Sequence, residues 1–202
     1  QAGSACPAGQ TGSRIRFLAI AGTSYKIALD STTATSYGSL QVRMAPVNDV
    51  LASAQSLGST SSTTVFGTTV DTGLEPGEPD HAGSGGTASV WYRWSAPWSG
   101  TVRFETCDSA GFDTALAMYR QDAPGMAGLV PVAANDDTAG CGPDGKRSRL
   151  RARVIAGTTY IVAVAGHGAV SGTFDLAVRM GPFNDDLVNA TALSSGTSGY
   201  GA

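Results

Sequence analysis

The sequence predicts an all-β fold, an antiparallel β-sandwich of jelly-roll or Greek-key type in tandem modules, and three observations lead there. The composition is turn-rich: 27 glycines in 202 residues, 42% hydrophobic and only 14% charged, which suits short strands better than bundled helices. Apolar and polar residues alternate with period two in one stretch after another. The chain also repeats itself over a distance the size of a domain.

The predicted strands follow in order. Residues 63–70, 89–95, 101–107, 114–119, 129–133, 149–155, 160–165 and 173–180 each run between glycine-, serine- or aspartate-rich turns. Val102 and Phe104 share one face, with Arg103 and Glu105 on the other. Leu150, Ala152 and Val154 point inward, with Arg149, Arg151 and Arg153 outward. Phe174, Leu176, Val178 and Met180 repeat the pattern. Ser99-Gly100 and Ala156-Gly157-Thr158 are expected to be hairpin turns, because glycine tolerates backbone angles that other residues avoid. Residues 82–87 are expected to form a flexible loop outside the core.

The repeat is plain in the letters. SRIRFLAIAGTSYKIAL (13–29) returns as SRLRARVIAGTTYIVAV (148–164), and VRMAPVNDVLASAQSL (42–57) returns as VRMGPFNDDLVNATAL (178–193). A period of about 135 residues is a domain repeated in tandem, not a solenoid rung. The expected organisation is the C-terminal part of one repeat at 1–47, a complete β-sandwich at 48–180, and the start of a third at 181–202. The two ends are read as cuts through a longer array; the alternative is that they pair with strands of adjacent chains.

A formal charge of -3 gives no general electrostatic footprint for nucleic acid or an acidic membrane. No stretch approaches the ~18 apolar residues that a membrane helix needs. No nucleic-acid partner and no membrane insertion are expected. Cys107 follows one predicted strand and Cys141 precedes another, so a disulfide between them would tie strands or their loops together. Cys6 stands where Cys141 does in the other copy, its partner expected upstream. Oxidised cysteines and Ser/Thr-rich surfaces point to an extracellular or cell-surface setting.

EPGEPDHAGSGGTASVWYRWSAPWSGTVRFETC (75–107), followed by FDTALAMY (112–119), VAANDD (132–137) and AGTTYIVAV (156–164), resembles the bacterial pre-peptidase C-terminal domains. The resemblance covers residues 48–180 and recurs in the partial copies. It implies a β-sandwich of the kind carried by secreted enzymes and by large surface proteins, with calcium-stabilised collagen-binding modules among its relatives.

The acidic residues Glu75, Glu78 and Asp80, with Asp113, Asp136 and Asp137, are the candidate metal ligands. Calcium takes roughly 6 to 8 oxygens, and carboxylate-rich loops supply them. The resemblance singles out Glu75, Glu78 and Asp80, although their spacing departs from a strict Glu-x-Glu-x-Asn-Asp pattern. The competing reading is that these acids satisfy turn backbones. Asn48-Asp49 and Asn184-Asp185-Asp186 fall at the module junctions, where they would cap a turn or fix the angle between neighbours. Trp91, Tyr92, Trp94 and Trp98 offer either a sugar-stacking platform or core packing. Strand spacing sets Tyr92 and Trp94 opposite Trp91, and core packing is expected. His81 is expected to support the acidic loop. Asn189 heads an N-glycosylation sequon.

The chain contains neither HExxH nor GxSxG, and no enzyme activity is expected. The expected function is structural: an extracellular tandem-repeat protein forming a stalk or fibre, calcium-stabilised and self-associating through adjacent modules or chains. The alternative is an accessory module of a secreted enzyme that binds carbohydrate or protein, with a glycan among its partners.

Overall fold

The computed structural model describes residues 4–5, 13–15, 17, 19–29, 38–85, 89–168, 170–185, 187 and 190–192. Cys6, Asp186 and the sequon residue Asn189 lie outside them. The chain divides into two compact units, residues 1–42 and 43–202. No helix among the described residues is long and apolar enough to cross a membrane.

In the first unit β1 (Ser4–Ala5) and β2 (Ser13–Arg14) pair antiparallel. The Ala21-Gly22 turn that follows is closed by Thr23 N–H donating to Ile20 O at 3.1 Å. The Tyr25 hydroxyl accepts the Ile20 N–H at 2.8 Å.

The second unit carries β3 (Gln55–Gly58), β4 (Ser62–Thr68), β5 (Ser89–Ser95), β6 (Gly100–Glu105), β7 (Thr114–Gln121), β8 (Leu129–Asn135), β9 (Arg149–Val154), β10 (Thr159–Gly166) and β11 (Thr173–Met180). They form two sheets, β3-β5-β10-β7-β8 and β4-β11-β6-β9, antiparallel except where β3 runs parallel to β5. All eight predicted strands are present, and β3 is the one the alternation did not reveal. At four residues with a single buried side chain, Leu57, it is too short to show a period.

The two sheets face each other across one core. Val90, Tyr92, Trp94, Leu116, Met118, Val162 and Val164 meet Val102, Phe104, Leu150, Val154, Phe174, Leu176 and Val178. A second cluster covers the outer face of the five-stranded sheet. There Trp91, Ala117, Tyr119, Ile161 and Ala163 lie under Leu51 and Ala54 of two short 3-10 turns, Val47–Asp49 and Leu51–Ser53, with Met126 and Leu129 beside them. Buried on both faces, β7 and β10 read as near-continuous apolar runs, TALAMY and YIVAVA, where a half-solvated strand would alternate. The same cover buries both sides of the aromatic strand, so Trp91, Tyr92 and Trp94 are all fully buried.

Two turns differ from expectation. Residues 96–99 join β5 to β6 and residues 155–158 join β9 to β10, and in each case the strands belong to different sheets. They are arches over the end of the sandwich, not hairpins. The two arches bond to each other, Ala96 N–H to Thr158 O at 3.0 Å and Gly157 N–H to Ala96 O at 2.8 Å. Glycine suits either geometry; partner choice lies in long-range packing, which a turn sequence does not carry.

The repeated letters adopt repeated geometry. Thr158 N–H donates to Ile155 O at 3.1 Å, and the Tyr160 hydroxyl accepts the Ile155 N–H at 3.0 Å, as at Ile20, Thr23 and Tyr25. Asp49 N–H reaches Pro46 O at 3.0 Å, and Asp185 N–H reaches Pro182 O at 3.0 Å. Asn48 (φ -86, ψ 18) and Asn184 (φ -93, ψ 16) share one backbone conformation.

Candidate functional site

The acidic loop leading into β5 is organised around a buried histidine. His81 is 1% exposed, with its ring edge-on to Trp91. Its Nδ1 lies 2.8 Å from the Tyr119 hydroxyl and its Nε2 lies 3.2 Å from Glu78 Oε1. A neutral ring protonated on Nε2 satisfies both contacts, donating to Glu78 and accepting from Tyr119. Burial first, then the charges of Glu78 and Asp80, push the Tyr119 phenol well above its ordinary range, so it remains a donor. Ser89 Oγ donates to Glu78 Oε1 at 2.5 Å, and Glu75 N–H donates to Glu78 Oε2 at 2.8 Å. Asp80 Oδ1 accepts the Gly85 N–H at 3.1 Å.

This loop is therefore not a loose excursion. His81 and Ser84 are buried and anchor it, while Ala82 is half-buried, Gly83 and Gly85 are exposed and none of residues 82–85 joins a hydrophobic core cluster, in keeping with the expected loop outside the core; 86 and 87 lie outside the described residues. The anchors are Ser89, at the start of the strand that follows the loop, and Tyr119 of β7, 38 residues on from His81, a partner that the local pattern of small residues does not reveal.

Glu75 accepts the Leu51 N–H with Oε2 at 2.5 Å, while Asp49 Oδ1 accepts the Gly73 N–H at 2.8 Å. Asn48 Nδ2 donates to Trp91 O at 3.1 Å. The junction residues thus dock the 3-10 turns onto β5. Burial, augmented by the charges of Glu78 and Asp49 and opposed by the Leu51 N–H, raises the Glu75 carboxyl above the usual carboxylate range.

Asp113 and Asp136 meet elsewhere. With His167 they are the one group of three potential metal ligands among the described residues, with ligand atoms within 4.8 Å of one another. Lys146 Nζ holds Asp113 Oδ2 at 3.0 Å, and His167 Nδ1 pairs with Asp136 Oδ2 at 2.8 Å. The other oxygen of each carboxylate, Oδ1, is buried and has no hydrogen-bond partner. Burial raises the Asp136 carboxyl, opposed by His167 and reinforced by the charges of Asp137 and Asp113. Asp137 contributes its backbone carbonyl, which accepts from Asn135 Nδ2 at 3.1 Å. Beneath lies a buried hydroxyl network in which Thr106 and Thr114 are 2.7 Å apart and Ser148 donates to Asp136 O at 2.5 Å.

His167 and Lys146 were not singled out as members of this group from the sequence. The signal exists in the strand register: Gly166 of β10 pairs with Thr114 of β7, which brings His167 level with Asp113, and His167 N–H donates to Asp113 O at 3.0 Å. It is usable only once those strands are known to be neighbours.

Cys107 and Cys141 form a disulfide, with Cα atoms 4.5 Å apart. It joins the ends of β6 and the segment leading to β9, beside the Asp113–Asp136 group. Next to it Arg147 donates through Nε to Ala110 O at 2.6 Å and pairs with Asp144.

No family model and no curated protein matches the chain. Among solved structures the fold is similar to the pre-peptidase C-terminal domain of collagenase from Bacillus anthracis, at 14% identity over 69% of this chain and 100% of that one, with a TM-score of 0.41. It is also similar to Aeromonas hydrophila PliG, a periplasmic inhibitor of g-type lysozyme (12% identity, 63% of this chain, 97% of that one, TM-score 0.38). A third is CorA, a surface-associated copper-binding protein of Methylomicrobium album BG8 (12% identity, 63% of this chain, 98% of that one, TM-score 0.41).

Proposed function

We propose that the chain is part of a non-catalytic, extracellular array of β-sandwich modules whose repetition supplies length, with residues 1–47 the latter part of one module and 181–202 the opening of another. One observation carries this reading. Leu150, Ala152, Val162, Val164 and Val178 are buried in the sandwich, whereas their counterparts Ile15, Phe17, Ile27, Leu29 and Val42 are 65%, 53%, 46%, 62% and 70% exposed. The same apolar pattern has a core in one copy and lacks it in the other, which is how part of a sandwich behaves without its remaining strands. The duplicated turns at Ile20 and Ile155, and at Asn48 and Asn184, support the same assignment. The disulfide suits an oxidising compartment. Negative-stain imaging of the protein isolated from its source is expected to show beads at constant axial spacing, joined into a stalk or fibre. A single compact particle with no repeat would end this reading.

The same reading assigns calcium to the Asp113–Asp136 end of the module. The oxygens of Glu78 both accept bonds from the protein itself, whereas Asp113 and Asp136 each leave a buried oxygen without a partner, which a cation satisfies. His167 orients the Asp136 carboxylate from outside. Calcium is expected to raise the melting temperature of the wild type, with no effect on D113N or D136N and an undiminished effect on E78Q. A melting curve indifferent to calcium and chelator refutes the ion. Loss of the response in E78Q instead returns the ion to the 75–80 loop, and a response to zinc alone makes the His167 imidazole a ligand.

A further inference from the structure

A strand at the edge of a sheet carries a row of backbone N–H and C=O groups that lack a ladder partner and can recruit another strand. The five-stranded sheet ends in β3 and β8, and the four-stranded sheet ends in β4 and β9. Three of these edges are guarded. β3 is four residues long, and its pairing shifts register between Ser56 and Gly58. β8 contains Pro131, which has no N–H to give, and its ladder is interrupted at Met118 and Tyr119 of β7. On β9 the Arg149 N–H is already accepted by Asn135 Oδ1 at 2.8 Å and Thr138 Oγ1 at 3.2 Å. Arg149, Arg151 and Arg153 would also set like charges against a second copy of that strand.

β4 has no such guard. Its seven residues, STTVFGT, hold neither proline nor charge, and its pairing with β11 runs without a register shift. Ser61 O accepts the Met180 N–H at 2.7 Å, and Gly172 O accepts the Thr69 N–H at 2.9 Å. The odd-numbered residues of β4 therefore bond to β11, and the even-numbered ones turn their backbone groups to the open side. Among the described residues, no hydrogen bond reaches the backbone of Ser62, Thr64 or Phe66. Phe66 is also 68% exposed, an apolar ring standing beside that open row.

We propose that β4 is a self-association edge, which pairs antiparallel with β4 of a second copy of this chain and continues the four-stranded sheet across a two-fold axis. The occupant follows from what the edge requires. Its partner must itself offer an open row of similar length, and among the described strands of the sandwich β4 alone does. An axis passing through Val65 puts Ser62 opposite the partner's Thr68 and Phe66 opposite the partner's Thr64. Every open residue of the strand is then in a bonded pair. No charge meets a like charge, and each aromatic ring packs on a β-branched neighbour. The pairing is additional to the array architecture: repetition sets length, and this edge joins chains side by side. Several edges along two arrays would reinforce one another through high effective concentration.

The test is sedimentation equilibrium of the 202-residue chain, with amide exchange followed by NMR at the same concentrations. A reversible dimer is expected as concentration rises toward about 1 mM. The Thr64 and Phe66 amides should exchange fast in the monomer and slow as the dimer forms, while those of Thr63 and Val65, already bonded to β11, change little. Thr64→Pro removes an N–H that makes no bond within the module, and Phe66→Lys adds an edge charge. Each should weaken the dimer at least about tenfold. Ile155→Lys, which replaces another exposed apolar residue outside β4 (67% exposed), should dimerise as the wild type does. A chain that stays monomeric overturns the proposal, and so does an equal loss in I155K. A dimer whose Thr64 and Phe66 amides stay fast also overturns it, moving the contact to other exposed apolar residues. Slowing of those amides only by an added peptide of residues 149–154 would give the edge to a foreign strand instead. The bead spacing of the array is read by imaging, so either result stands without the other.

Discussion

His81 Nδ1 lies 2.8 Å from the Tyr119 hydroxyl, a bond between the acidic loop and β7 in the five-stranded sheet. Because Glu78 takes the other ring nitrogen and Ser89 takes Glu78, the loop is held by one continuous buried chain of polar groups. Such chains are costly when broken part-way, since each remaining partner stays desolvated.

The end of that chain and its interior link should therefore differ in their response to mutation. Tyr119→Phe removes one hydrogen bond and is expected to cost about 1 kcal/mol. His81→Ala removes both bonds, leaves Glu78 underpaired and opens a void beside Trp91, for about 3 kcal/mol. Urea denaturation of both variants checks the ordering. Equal costs would mean that the imidazole merely fills space.

Gly67 on β4 is required by its neighbours. A Cβ at this position would press on the Tyr92 hydroxyl and the Phe174 ring, both in the fully packed core. Gly67→Ala is expected to destabilise the sandwich by about 1 to 3 kcal/mol. Gly111→Ala, where an added Cβ meets nothing within 4 Å, should be nearly neutral. Thermal melts of the pair decide, and a neutral Gly67→Ala would show that the sheets can separate locally.

Glu75 gives a pH dependence with a definite sign. Its folded-state pKa is raised, so the native state holds the proton more tightly than the unfolded chain. Its contribution is most favourable below the unfolded value of about 4.3 and is lost as pH rises through the folded value. Glu75→Gln keeps an oxygen to accept the Leu51 N–H without the charge. The stability of E75Q relative to wild type should increase with pH across the acid range and then level off. Urea midpoints over a pH series measure it, and a difference that shrinks as pH rises contradicts the assignment.

The disulfide should contribute on the scale set by loop closure. For a separation of 34 residues the chain-entropy model gives about 4 kcal/mol. Replacing both cysteines by serine is expected to lower the melting temperature under oxidising conditions to near that of the reduced wild type. Identical melts of wild type and the double variant without reductant would show that the bond is not formed in solution.

Several site features could be read from the letters because they depend on neighbours along the chain. The eight strands and the opposed sides of Trp91 and Tyr92 are of this kind, whereas the pairing of Cys107 with Cys141 spans 34 residues and His81 reaches its partner Tyr119 across 38. The joining of Asp113 and Asp136 with His167 needed the register of β7 against β10. The open edge groups of Ser62, Thr64 and Phe66 needed the register of β4 against β11. Each strand declares only its own outward residues, and adjacency in a sheet is settled by which apolar faces bury each other.

What the sequence determined by itself is the all-β class, the outward or inward sense of each alternating strand, and the duplication of whole segments, since all three follow from backbone periodicity and self-similarity. Tertiary structure decided that the turns at 96–99 and 155–158 arch between sheets, and that β7 and β10 are covered on both faces. It also decided that β4 stands at the edge of its sheet. The reason is that these outcomes minimise exposed apolar area over the assembled sandwich, a quantity that no single segment possesses.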